Sequence, residues 1–66
     1  MQIICNGQRR DLAEETTLAA MLAMLDLDPN TVVAEVNRKI IERDQYEDLR
    51  LRDGDRIELI RFVGGG

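Results

Sequence analysis

The apolar positions of this chain change period several times, and each change marks an element. Gln2 to Asn6 is a short apolar run, and Asn6-Gly7 suits a two-residue hairpin turn because both positions tolerate positive φ. Gln8 to Leu12 reads as the return strand, with Leu12 its only apolar member. Charged side chains of this kind discourage pairing with other molecules and suit an edge, although nothing in the pattern explains the run Arg9, Arg10, Asp11. Leu18, Met21, Leu22 and Leu25 then fall at i, i+3, i+4 and i+7, one stripe of an amphipathic helix. Thr16 or Thr17 can cap it, with Glu14 and Glu15 near the positive end of its dipole.

Asp28-Pro29-Asn30 stops that helix, and Val32, Ala34 and Val36 alternate with Val33, Glu35 and Asn37 as a third strand. A turn at Asn37-Arg38-Lys39 leads to the apolar pair Ile40-Ile41. Asp44 and Glu47 have capping-box spacing around one helical turn through Tyr46, after which Leu49 and Leu51 alternate with charges. Asp53-Gly54-Asp55 is a further turn, and Arg56 to Val63 is the longest strand candidate. The order predicts an α+β fold, a β-grasp: a mixed sheet of four to five strands covered on one face by one helix, with the first and last strands central and parallel. The expected organisation is one domain over 1–63 and a flexible glycine tail over 64–66, since glycines without side chains cannot pack.

Composition narrows the function. With 66 residues and 44% hydrophobic content the chain can fill one small core, which leaves no room for a deep catalytic pocket of its own. Histidine is absent, which removes the usual general base and metal ligand. Cys5 is the only cysteine, so no internal disulfide can form and a reducing, cytoplasmic setting is expected. The start of the chain carries no basic leader, and no apolar run nears the roughly 20 residues a membrane helix needs, so neither secretion nor a membrane partner is expected. A net charge of −4 with one Phe, one Tyr and no Trp argues against nucleic acid and favours protein partners.

The chemical candidate is the tail, Gly64, Gly65 and Gly66. A carboxylate that must enter another protein's active site needs a thin, unbranched approach, which glycine supplies. The plain alternative is a frayed end. Ile60 and Phe62 occupy the strand phase opposite to Ile57 and Leu59, and Ile4 is out of phase with Ile3 and Cys5. The three together form either an exposed apolar partner surface beside the tail, or, with a bulge near Arg61, a pattern that returns Phe62 to the core. Cys5, in phase with Ile3, reads as a small buried hydrophobe, and Asp53 and Asp55 as turn residues beside Gly54. No metal site is expected.

The β-grasp order ending in Phe62-Val63-Gly64-Gly65-Gly66 resembles the ThiS family of thiazole-biosynthesis sulfur carriers, which are ubiquitin-like, over essentially the whole chain. The likeness rests also on Met1-Gln2-Ile3 with Asn6-Gly7, on Val36-Asn37 followed by Ile40-Ile41 and Arg43, and on Asp53-Gly54-Asp55. A terminal Gly-Gly by itself is shared with the molybdopterin synthase small subunit, MoaD, and with ubiquitin. The resemblance implies that the chain is no enzyme and binds no cofactor. In its place, an E1-like adenylyltransferase of the ThiF type uses ATP to adenylate the Gly66 carboxylate. Sulfur from a donor such as a cysteine desulfurase then makes a thiocarboxylate, and a thiazole synthase of the ThiG type consumes it. A MoaD-like carrier for molybdopterin and a ubiquitin-like protein modifier are the alternatives.

Overall fold

The computed structural model describes residues 1–62. Five strands and one α-helix follow the expected order: β1 (Gln2–Cys5), β2 (Gln8–Asp11), α1 (Leu18–Met24), β3 (Val32–Val36), β4 (Lys39–Ile41) and β5 (Arg56–Arg61). Short 3₁₀ turns at Pro29–Thr31 and Arg43–Gln45 sit before β3 and after β4. The sheet order is β2-β1-β5-β3-β4, with β1 and β5 parallel and every other pair antiparallel. This is the β-grasp, and β5 is its middle strand.

The turns form where the residue types allow it. Asn6 and Gly7 have φ of 49° and 80°, the left-handed pair of a tight hairpin, and Asn37 and Arg38 repeat that conformation between β3 and β4. Thr17 caps α1, its hydroxyl accepting from the Ala20 N–H at 3.1 Å. The helix's next free N–H groups are taken by another segment: Leu18 N–H donates to Leu49 C=O at 2.9 Å, and Ala19 N–H to Tyr46 C=O at 2.8 Å.

Glu14 and Glu15 therefore do not serve the helix dipole as expected. No acidic residue lies in the first turn, and Glu15 instead approaches Arg50 at 3.5 Å. The helix also stops at Met24, so Leu25 occupies its C-cap position, half-buried at the edge of the stripe. The expected capping box of Asp44 and Glu47 is absent as well. The cap position is Glu42, without a side-chain hydrogen bond, and Asp44 lies inside the 3₁₀ turn. That turn serves to deliver Tyr46 to the core.

One face of the sheet is dry. Ile3, Cys5, Val32, Ala34, Val36 and Ile57 pack against Leu18, Met21 and Leu22 of α1, while Leu12, Tyr46 and Leu51 close the margins. With so few core side chains, each is costly to lose: truncating a buried Leu such as Leu22 removes about 2–5 kcal/mol, a large part of a small domain's stability. β4 is too short to pair with the first residues of β3, and the Tyr46 hydroxyl replaces it there. The hydroxyl donates to Val32 C=O at 3.0 Å and accepts from Ala34 N–H at 3.2 Å.

Candidate functional site

The tail follows the central strand in sequence, and that strand is bonded on both sides for most of its length. On one side, Phe62 N–H donates to Thr31 C=O at 2.8 Å, continuing the β3–β5 ladder one residue past its last pair, Val32 with Arg61. On the other side the parallel ladder from β1 runs out early, because the chain turns away at Asn6. Asn6 N–H reaches Ile57 C=O at 2.9 Å, and then its side chain takes over from its main chain. Its Oδ1 accepts from Leu59 N–H at 2.8 Å, and its Nδ2 donates to Leu59 C=O at 3.4 Å. An amide side chain carries one acceptor and one donor and so can stand in for a peptide group.

Asn6 thus ties the first hairpin to β5, a role that its place in the Asn6-Gly7 turn did not reveal. Its partner lies 53 positions away, and no local pattern encodes that pairing. The expected longest strand ends at Arg61 rather than Val63, and Val63, Gly64, Gly65 and Gly66 lie outside the described residues.

The β5 register is continuous against β3 from Ile57 to Arg61, so no bulge turns Phe62 inward. Ile60 and Phe62 lie on the face away from α1 and are 51% and 57% exposed. Val33, half-buried, pairs with Ile60 there. Ile4 does not join them. It pairs with Arg9 on one side and Arg56 on the other, four positions before Ile60 along β5, a separation of about 13 Å at the strand rise. The intervening outward position is Glu58, which pairs with Glu35. The expected single patch is therefore an apolar pair beside the tail root, with Ile4 set apart among arginines.

On the helix side of the same strand end, Arg10 and Arg61 overhang a hollow of about 260 Å³ floored by Cys5, Leu25 and Leu59. Cys5 is 4% exposed, and burial pushes its thiol pKa above the usual value; the positive charge of Arg10 opposes the rise and Glu58 adds to it. A buried thiol held in its neutral form is a poor nucleophile, in keeping with its reading as a small core side chain. Asp53 and Asp55 bind backbone: Asp53 Oδ1 accepts from Gln2 N–H at 2.7 Å, and Asp55 Oδ2 from Arg52 N–H at 2.8 Å. Among the described residues no group of three or more His, Cys, Asp or Glu side chains converges on one point.

The end of β5 is thus bonded to β3 as far as Phe62 and to Asn6 as far as Leu59, with the exposed apolar pair Ile60 and Phe62 on its outer face. The ThiS family model matches residues 3–66. The chain belongs to the ThiS family. It is 40% identical over 62 residues to the sulfur carrier protein ThiS of Bacillus subtilis, covering 92% of this chain and 94% of that one. A thiazole synthase of Paramagnetospirillum magneticum is 33% identical over 66 residues, all of this chain but only 20% of that protein. The crystal structure of the thiamine biosynthesis protein ThiS from Geobacter metallireducens superposes with a TM-score of 0.85 at 29% identity, with both chains fully covered. No helix among the described residues of this ThiS-family chain is long and apolar enough to cross a membrane.

Proposed function

We propose that this chain is a sulfur carrier of thiamine (thiazole) biosynthesis, with the Gly66 carboxylate as its reactive group. The observation that carries the reading is the position of β5, the middle strand of the sheet, bonded to β3 as far as Phe62 and to Asn6 as far as Leu59, and followed in the sequence by Val63 and then Gly64, Gly65 and Gly66. A rigid root beneath an unbranched stalk delivers a carboxylate into a narrow site at low steric cost. The likeness to a protein named as a sulfur carrier supports the cargo. The ThiS-like segment within thiazole synthases supports an enzyme of that kind, the ThiG type, as the partner that receives the sulfur.

Carboxylate oxygen is a poor leaving group, so activation must come first. In the proposed sequence a carboxylate oxygen of Gly66 attacks the α-phosphorus of ATP, held by a ThiF-type adenylyltransferase, and pyrophosphate leaves. The outer sulfur of a persulfide on a donor such as a cysteine desulfurase then attacks the acyl carbon and AMP departs; two reducing thiols cleave the resulting acyl disulfide, becoming a disulfide themselves, so that the donor's thiol is released and a thiocarboxylate remains at Gly66. The chain supplies the acyl group and its partners supply the catalytic residues, so it acts as a cosubstrate and binds no cofactor itself. Ile60 and Phe62 form the partner surface nearest the tail, and Ile4 with its flanking arginines forms a second contact. One free cysteine and no disulfide suit work in the cytoplasm.

Intact mass after incubation with ATP, an adenylating partner and a sulfur source tests the reading. Replacement of one oxygen by sulfur adds about 16 Da at the acyl carbon. Folded protein that never gains this mass with competent partners overturns it. Product made only with a molybdopterin synthase large subunit, and none with a thiazole synthase, assigns the carrier to molybdopterin instead.

A further inference from the structure

Of the charged run Arg9, Arg10, Asp11 only Arg9 enters the reading above, as a flank of Ile4, yet the fold gives the whole run a specific setting. β2 is an edge strand, and its pairing phase shows which backbone groups are free. In an antiparallel ladder successive residues direct their N–H and C=O alternately to one side and the other. Leu12 N–H donates to Met1 C=O at 2.9 Å, so Leu12, Arg10 and Gln8 turn their backbone groups toward β1. Arg9 and Asp11 turn theirs to the open side.

The side chains alternate as well. Arg10 pairs with buried Ile3 and stands on the helix side, while Arg9 pairs with Ile4 and stands on the outer face, so arginines bracket the edge from both directions. Neither has a carboxylate partner among the described residues. Between β2 and α1 runs a groove of about 310 Å³, floored by Leu12, Met21 and Leu25 and rimmed by Met24, which is 66% exposed.

We propose that the β2 edge and this groove receive an extended acidic segment of a partner protein, which adds a strand to the sheet through the free backbone groups of Arg9 and Asp11. Its alternate apolar side chains enter the groove beside Met21 and Met24, and its flanking carboxylates meet Arg9 and Arg10. A second copy of this chain is the competing occupant: two-fold antiparallel pairing centred on Arg9 or Asp11 sets like charges opposite, whereas pairing centred on Arg10 sets Arg10 against itself and Arg9 against Asp11 on either side. An acidic strand meets both arginines without the Arg10–Arg10 opposition.

The test is an NMR titration of the ¹⁵N-labelled full chain with two acetylated peptides that share a Val-Ile-Val-Ile core, one flanked by two aspartates at each end and one by two lysines. The expected result is shift changes at Arg9 to Leu12 and Met21 to Leu25, slowed exchange of the Arg9 and Asp11 amides, and binding of the acidic peptide about tenfold tighter than the basic one. Joint replacement Arg9→Glu and Arg10→Glu reverses that order, Met24→Asp weakens both peptides, and removal of Gly65 and Gly66 changes neither. Silence of β2 up to millimolar peptide, equal binding of the two peptides, or changes confined to Ile60 and Phe62 overturns the proposal. If the double variant unfolds, the comparison of the two peptides on the unaltered chain decides.

Discussion

Replacing Asn6 by Gly isolates the side-chain link between the first hairpin and the last strand. Judged as a turn residue alone, Asn6 at φ 49° is a position where glycine is fully at ease, and the change should be neutral or mildly favourable. The structure predicts a loss instead. The 2.8 Å bond from Leu59 N–H to Oδ1 contributes about 1 kcal/mol net, the 3.4 Å contact little, and glycine's extra freedom in the unfolded chain costs about 0.5 kcal/mol more. The expected destabilisation is about 1.5 kcal/mol, a lowering of Tm of roughly 6–12 °C for a domain this small. Asn6→Asp keeps the acceptor and tolerates the turn, so it should cost well under half as much.

Urea unfolding followed by circular dichroism measures the order of the three proteins. Native-state amide exchange measures the link itself, and Leu59 should exchange about tenfold faster in the Gly variant because roughly 1.4 kcal/mol of local protection is gone. A Gly variant as stable as the parent, with Leu59 exchange unchanged, refutes the reasoning and leaves Asn6 as a turn former only.

Three further outcomes follow from the same contacts. Tyr46→Phe strands Val32 C=O and Ala34 N–H in a buried site and should cost about 1–3 kcal/mol by urea melt; no loss would mean that β3 finds other partners. Ile60→Ala and Phe62→Ala should melt near the parent temperature, because both side chains are half or more exposed, while slowing adenylation by a partner enzyme; global unfolding would place them in the core. Cys5 has a raised folded pKa, so the native fold favours the neutral thiol: the resulting stability is fully present below the unfolded thiol's pKa and is lost as pH rises through the folded one. Alkylation of native protein should therefore be far slower than that of urea-unfolded protein at neutral pH, and equal rates would contradict the burial.

Much of the architecture was legible in the residue pattern because it follows from local spacing. The hairpin at Asn6-Gly7, the stripe Leu18, Met21, Leu22, the alternation of Val32, Ala34 and Val36 and the turn at Gly54 each depend on neighbours within one turn or one strand. Their order was enough for the β-grasp, and the glycine end was enough to name Gly66 as the candidate group. Absent histidine and a single cysteine turned attention from catalysis toward presentation.

Tertiary structure decided what depends on register between distant strands. Strand phase put Ile4, Ile60 and Phe62 on one face, but only the pairing of Ile4 with Arg56 shows that Ile4 stands about 13 Å along the strand from Ile60. Glu14 and Glu15 lost their expected role because carbonyls of Tyr46 and Leu49 already occupy the helix's free N–H groups, and those residues are far away in sequence. Asn6 and Tyr46 continue the sheet with side chains where β1 and β4 stop short, and the charges of β2 acquire a groove beside them only when α1 packs across the sheet. Periodicity reports which face a residue shares; which neighbour it meets there is set by chain segments that local spacing does not connect.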